Sequence, residues 1–250
     1  MLSAERYSRQ TLLKEIGEEG QRKISAARAV VIGCGALGTH SASLLARAGV
    51  GRVLIVDRDR VELSNLQRQT LFSEQDIGEP KASTAERLLR QVNSEIEITS
   101  TMTDVRADNV ENLVDGATVV VDGTDNMETR FVVNDACVKL GIPWVYGGAV
   151  GTSGMIFPVV PTGPCLRCIF PTLPPAGQLP TCSTIGIVNS LPSVVASLEV
   201  TEALKVMLGE DATPELMTID VWHGDLQKIR VKRNPDCESC GKHRYYAYDR

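Results

Sequence analysis

Short apolar runs rich in β-branched residues alternate along the first 150 residues with longer segments in which apolar positions recur every three or four. The runs at 29–32, 53–56, 96–101, 119–121 and 144–146 predict strands, and the segments 37–48, 81–92 and 130–140 predict amphipathic helices between them. Alternation of this kind implies a parallel sheet with helices on both faces. After residue 150 the pattern changes. A strand is expected at 155–160, a proline- and glycine-rich loop at 171–180, and a helix carrying Val194, Leu198, Ala203 and Val206. Strands at 217–222 and 228–231, separated by the turn HGDL, predict a hairpin beside the main sheet.

Composition narrows the class. With 43% hydrophobic and 23% charged residues over 250 positions, the chain has the balance of an ordinary globular protein with one sizeable core. Its net charge of −5 and lack of a basic tract argue against a nucleic-acid partner. The first 23 residues are charged throughout, unlike a signal peptide, and no apolar run approaches the roughly 20 residues that cross a bilayer. A cytoplasmic protein with no membrane contact is expected. We divide it into an N-terminal helical arm (1–27), a nucleotide-binding half (28–150) and a second half (151–250) of one domain.

Gly33, Gly35 and Gly38 form G-x-G-x-x-G between the first expected strand and helix, with Ala36 inside the turn. Glycine there permits the tight turn and close approach of backbone to a nucleotide. Asp57 closes the second strand, 19 residues beyond Gly38, where a carboxylate accepts hydrogen bonds from ribose hydroxyls. The fold class expected is therefore α/β: a Rossmann-like, doubly wound, mostly parallel sheet extended by antiparallel C-terminal strands. The same turn serves NAD or any other adenosine nucleotide. An NAD-dependent dehydrogenase, however, needs a proton acceptor beside the nicotinamide, and none of His40, His223 and His243 follows an expected sheet strand at its carboxyl end. Asn65 and Arg68 follow the second strand instead, Lys81 opens a helix, and Asp122 and Asp125 follow the fourth strand, with Asn126 next in line. Two cations, an amide and carboxylates around a nucleotide turn suit a polyphosphate with Mg2+. Singly, Arg68 or Lys81 reads as a solvated helix-end charge and Asp125 as a helix cap.

The runs LSNLQRQ, TDN, CLRC and NPDCESCG resemble those of the ThiF/MoeB/HesA family, bacterial and archaeal relatives of ubiquitin-activating E1 enzymes, and the likeness extends from RYSRQ to Cys240. The resemblance implies an adenylyltransferase that uses ATP and Mg2+ to activate the C-terminal glycine of a ubiquitin-like sulfur-carrier protein ending in Gly-Gly. It implies that Asp57 holds the ribose, that Asn65, Arg68 and Lys81 grip the phosphates, and that Asp125 binds magnesium. Arg9 is implied to reach the ATP site of the other subunit of a homodimer. A peptide carboxylate, with a pKa of about 3.5, is already ionised at neutral pH and needs no general base, which accounts for the missing histidine. An inactive carrier-binding scaffold is the remaining alternative. No rhodanese-like domain is read after Gly241, so a separate cysteine desulfurase or rhodanese is the expected sulfur donor.

Seven cysteines complete the inventory. Cys165, Cys168, Cys237 and Cys240 form two C-x-x-C pairs, the spacing of a structural four-cysteine zinc site, with a redox dithiol as the competing reading. Cys34 and Cys137 read as small buried residues. Cys182 lies where the family can carry a cysteine that forms an acyl or persulfide link to the carrier. A helix N-terminus after it is expected to lower its pKa; an inert loop thiol is the alternative.

Overall fold

Valines and isoleucines that alternate between two faces need apolar cover on both, and the chain supplies it. The computed structural model describes residues 5–175, 178, 181–210 and 214–245. The arm contains helices α1 (Ser8–Thr11) and α2 (Gly17–Ala26). Strand β1 (Arg28–Ile32), α3 (Ala36–Ala48), β2 (Arg52–Val56), α4 (Lys81–Val92), β3 (Glu97–Thr101), α5 (Val110–Val114), β4 (Val119–Asp122) and α6 (Met127–Leu140) follow. The second half holds β5 (Trp144–Val150), β6 (Ser153–Val159), the single turns α7 (Leu166–Ile169) and α8 (Cys182–Ile185), α9 (Leu191–Leu208), β7 (Glu215–Asp220) and β8 (Asp225–Arg230).

One sheet of eight strands runs in the order β3-β2-β1-β4-β5-β6-β7-β8. The first five are parallel, and β6, β7 and β8 are added antiparallel, as expected. Within β1, Ala29 and Val31 point into a core with α3, α4 and α9, whereas Val30 and Ile32 point into a second core with α5 and α6. The strand order reverses between β1 and its neighbours β2 and β4, which opens a crevice at their carboxyl ends.

Several boundaries differ from expectation for identifiable reasons. The arm is not one helix: residues 12–16 separate α1 from α2, and Gly17, at φ +59°, opens the second. Helix α6 starts three residues before the expected 130 because Asn126 caps it, its side chain accepting from the Thr129 amide at 2.8 Å. The final hairpin turns at 221–224 rather than at HGDL. Asp220 pairs with Asp225, and Gly224 supplies the left-handed conformation at φ +76°. Cys165 of CLRC stands at the N-cap of the single turn α7. Of the expected loop at 171–180, residues 176, 177, 179 and 180 lie outside the described residues; the others there carry no helix or strand.

One buried acid carries a pH consequence. Glu199 of α9 is fully buried against Gly147 and accepts from the Ser41 hydroxyl at 3.0 Å, while its Oε1 has no partner among the described residues. Burial, with the nearby Asp122 charge, holds its pKa well above the usual carboxylate range. The folded chain thus keeps this proton at pH values where the unfolded chain has lost it. The contribution is present at acid pH and fades as pH rises above the ordinary glutamate pKa of 4.5. Glu199→Gln is expected to flatten that slope and to exceed the wild type in stability at pH 8, with the advantage shrinking toward pH 4. Denaturant melts across the range test this, and an unchanged slope refutes it.

Candidate active site

The crevice holds a cleft of about 780 Å3, built by the segments that leave the carboxyl ends of the first five strands. At its centre the glycine turn passes from β1 into α3. Gly33 has φ +90°, and a Cβ there would stand 2.5 Å from the Gly123 carbonyl oxygen, so neither side chain nor ordinary backbone fits. A Cβ on Gly38 would meet the Gly33 oxygen at 1.9 Å. Gly33, Gly35 and Ala36 face the cleft, whereas Gly38 serves packing beneath it. The amino end of α3 therefore points its unpaired amides at whatever the cleft binds.

Asp57 sits beside the turn. Its Oδ2 accepts from the Cys34 amide at 2.6 Å and its Oδ1 from the Asp59 amide at 2.7 Å, which fixes the carboxylate at the rim. Burial pushes its pKa up, against these two donors and the charge of Lys81. Lys81, 6% exposed, extends into the cleft and meets Asp59 at 3.2 Å. The 3-10 turn Leu63–Asn65 orients the cation that follows: Asn65 is buried, with Oδ1 accepting from the Glu62 amide at 3.2 Å, and Arg68 bonds the Ser64 carbonyl at 3.0 Å. Asn65, Arg68 and Lys81 all line the cleft, as do Asp125, Asn126 and Cys182.

Other expected positions fall elsewhere. Asp122 is 2% exposed and absent from the lining; it accepts from the Thr124 amide and hydroxyl and from Arg130. Its place is structural, under the floor. The cap of α6 belongs to Asn126, which leaves the Asp125 carboxylate exposed at the cleft. Arg9 stands exposed on α1 and does not line its own chain's cleft. Two neighbours pin the arm: Tyr7 is buried and accepts from Asn93 at 2.8 Å, and Gln10 donates to the Ala48 carbonyl at 3.0 Å. Cys182 opens α8 with its thiol 3.7 Å from the Ala149 carbonyl, and burial raises its pKa despite the pull of Arg68. The lowering expected from a helix N-terminus does not occur, because one turn of helix carries too little dipole to offset the burial. Cys34 and Cys137 are fully buried, as read, and burial pushes both thiols up.

Two residues went unnoticed in the sequence. Arg130 is buried, paired to Asp122 at 2.8 Å, and donates to the carbonyls of Thr124 and Gly147 at 2.7 and 2.9 Å, with its guanidinium 5.1 Å from the Tyr146 ring centre. Burial opposes its charge, and Asp122 together with Tyr146 and Asp125 outweighs that penalty, so its pKa is raised. Arg130 ties the loop after β4 to strand β5 at the cleft. Its signal was a charge on the apolar face of α6, between Met127 and Asn134. Gln69, 3% exposed, also borders the cleft, and its buried Oε1 has no partner among the described residues. Among the described residues no histidine lines the cleft.

On the sheet face that carries α6, the thiols of Cys165, Cys168, Cys237 and Cys240 converge within 4.8 Å of one another. The closest pairs, Cys165 with Cys237 and Cys168 with Cys240, are 3.6 and 3.5 Å apart. A tetrahedral cation with metal–sulfur bonds of ~2.3 Å needs sulfur edges near 3.8 Å, so the set fits one. Helix α6 anchors it: Asn134 accepts from the Leu166 amide, and Asp135 takes Arg167 in two hydrogen bonds of 2.8 Å. The redox alternative loses ground, since all four thiols form one cage rather than two separate dithiols.

A model of the ThiF family matches residues 7–239. The chain belongs to the ThiF family. Over 241 residues it is 49% identical to the sulfur carrier protein ThiS adenylyltransferase of Bacillus subtilis (strain 168), covering 94% of this chain and 71% of that one. It is 40% identical to the SAMP-activating enzyme E1 of Haloferax volcanii over 95% of this chain and 89% of the relative. Among solved ThiF-like structures, that of Escherichia coli MccB with MccA superposes with a TM-score of 0.83 at 26% identity, covering 96% of this chain and 75% of the other.

Proposed function

We propose that this ThiF-family protein is an adenylyltransferase that joins the C-terminal glycine carboxylate of a ubiquitin-like sulfur carrier to the α-phosphate of ATP, releasing pyrophosphate. The observation that carries this is the convergence of Arg68, Lys81 and Asn65 on a nucleotide cleft with no histidine among its described lining residues. The relatives named for ThiS and SAMP activation support it, as does MccB, crystallised with AMPCPP and MccA, at 25% identity.

The chemistry follows from the inventory. The carboxylate attacks the α-phosphorus while the bond to the bridging oxygen of the β-phosphate breaks, and no proton has to move. The protein must bring two anions together and neutralise the departing pyrophosphate, which calls for fixed cations rather than a base. Asp57 holds the ribose, the start of α3 receives phosphate, and Arg68 and Lys81 take up the developing charge. Asp125, an exposed carboxylate lining the cleft, would hold Mg2+, which prefers few protein ligands and would neutralise charge on the phosphates. Cys182 is not needed for this step; it lines the cleft, where attack of its thiolate on the acyl-adenylate would form a thioester and release AMP.

ATP–pyrophosphate exchange with a carrier ending in Gly-Gly tests the proposal. Exchange is expected with the free C-terminus and is expected to vanish when that carboxyl is amidated; exchange that persists rules the mechanism out.

For the thiolate cage we propose zinc, the divalent ion that four cysteines in a closed tetrahedron favour. One zinc per chain is expected by elemental analysis. Cys165→Ser or Cys240→Ser should lose it together with stability on the order of several kcal/mol, because the cage joins segments 72 positions apart. Metal-free protein with unaltered stability would refute the assignment.

A further inference from the structure

The order of strands arranges the rim of the cleft in sequence. The glycine turn follows β1, Asp57 follows β2, and residues 103–105 follow β3, so the three lie side by side in the order β1, β2, β3. On the adenylation reading above, phosphate lies over the turn and the ribose over Asp57, and the base then falls at the β3 end. That end has the form of a slot. Ile32, Val56 and Val105, all packed in the core under α5 and α6, give it an apolar wall. Arg58 crosses its mouth, with Nη1 2.9 Å from the Asp104 Oδ1, and both residues line the cleft. The loop bearing Asp104 is itself fixed: the Asn109 amide donates to the Asp104 carbonyl at 2.8 Å, and the Arg106 amide donates to Asn109 at 2.9 Å.

We propose that Arg58 and Asp104 select the base, Asp104 accepting a hydrogen bond from the C6 amino group of adenine and Arg58 covering the ring face. A carboxylate only accepts, and it offers about four lone-pair sites, of which Arg58 takes one. It therefore pairs with an amine at C6 and opposes the carbonyl that guanine or hypoxanthine presents there. A planar guanidinium stacks on a purine as it does on an aromatic side chain, whichever purine it is. The two residues thus divide the work. Asp104 discriminates, and Arg58 adds affinity without discrimination.

Equilibrium binding of ATP and of ITP, which carries a carbonyl at C6, to the full chain separates these roles. The wild type is expected to prefer ATP by about tenfold, the range of one hydrogen bond to a charged group at a half-exposed site. Asp104→Asn, whose amide can donate as well as accept, is expected to bring that ratio to within about threefold. Arg58→Ala is expected to weaken both nucleotides by a similar factor and to keep the preference. A residue that merely shapes the loop would lower both affinities together, so the ratio is the decisive quantity. An unchanged ratio in Asp104→Asn, or a wild type without preference, overturns the proposal. A wild type that binds ATP selectively but shows no carrier-dependent exchange leaves base selection standing and removes the adenylation reading. Failure to bind either nucleotide removes both.

Discussion

Lys81→Ala protein is expected to fold and to lose carrier-dependent ATP–pyrophosphate exchange by at least ~10²-fold, the loss seen when one fixed charge donor is removed from a developing anion. Lys81 is 6% exposed, so its ammonium works where water screens little, and it pairs with Asp59 at the rim. That pairing holds the side chain extended in the cleft before any nucleotide arrives. Arg68→Ala and Asp125→Ala should fall in the same range, since each acts on charge at the phosphates. The fall should appear in kcat and in kcat/KM alike, because the interaction grows as pyrophosphate departs. A thermal midpoint near that of the wild type separates this from misfolding. Near-normal exchange in any one variant would remove that residue from its proposed role.

A second large effect is expected from mixing two inactive proteins. Arg9 is exposed on α1, on an arm anchored to its own chain by Tyr7 and Gln10, and it does not line the cleft of that chain. We propose that in a two-fold homodimer it supplies a cation to the partner's phosphates, since isologous symmetry gives each site one such residue. A cation delivered in trans is worth ~10³ to 10⁵ in comparable phosphoryl transfers. Arg9→Ala and Arg68→Ala should therefore each be nearly inactive alone. After subunit exchange, each mixed dimer has one site lacking both arginines and one site keeping both, so half of its sites should work. Mixing that restores nothing, with exchange of subunits demonstrated, would show that Arg9 acts within its own chain or not at all.

What the sequence made legible was whatever a local pattern encodes. Strands β1, β2 and β4 are runs rich in valine and isoleucine, and the glycine turn carries its backbone requirement in its composition. Gly33 and Gly38 are glycine for the contacts that the close approach of Gly123 and the turn itself impose. The four-cysteine set was legible by spacing, and Asn65, Arg68 and Lys81 by the coincidence of charges near one turn. Tertiary partners were not. Arg130 looks like one more charge on a helix until Asp122, Thr124 and Gly147 are seen around it. Asp122 looked like a ligand residue because strand ends usually face the site, yet Arg130 claims it. The hairpin turn was misplaced by two residues because HGDL carries turn-forming residues, while the pairing of Asp220 with Asp225 was decided by strand register across the sheet.

Helix α6 touches both centres of the molecule: Arg130 in its first turn belongs to the cleft, and Asn134 and Asp135, one turn further on, hold the cysteine knuckles. Those residues lie within ~8 Å along a single rigid helix. Occupancy of the cage and occupancy of the cleft are therefore candidates for thermodynamic linkage, and linkage is symmetrical. Whatever factor metal loading adds to nucleotide affinity, nucleotide must add to metal affinity. If that factor exceeds one, a cell in which ATP is abundant holds the metal more tightly in this protein than a chelator titration on the bare chain indicates.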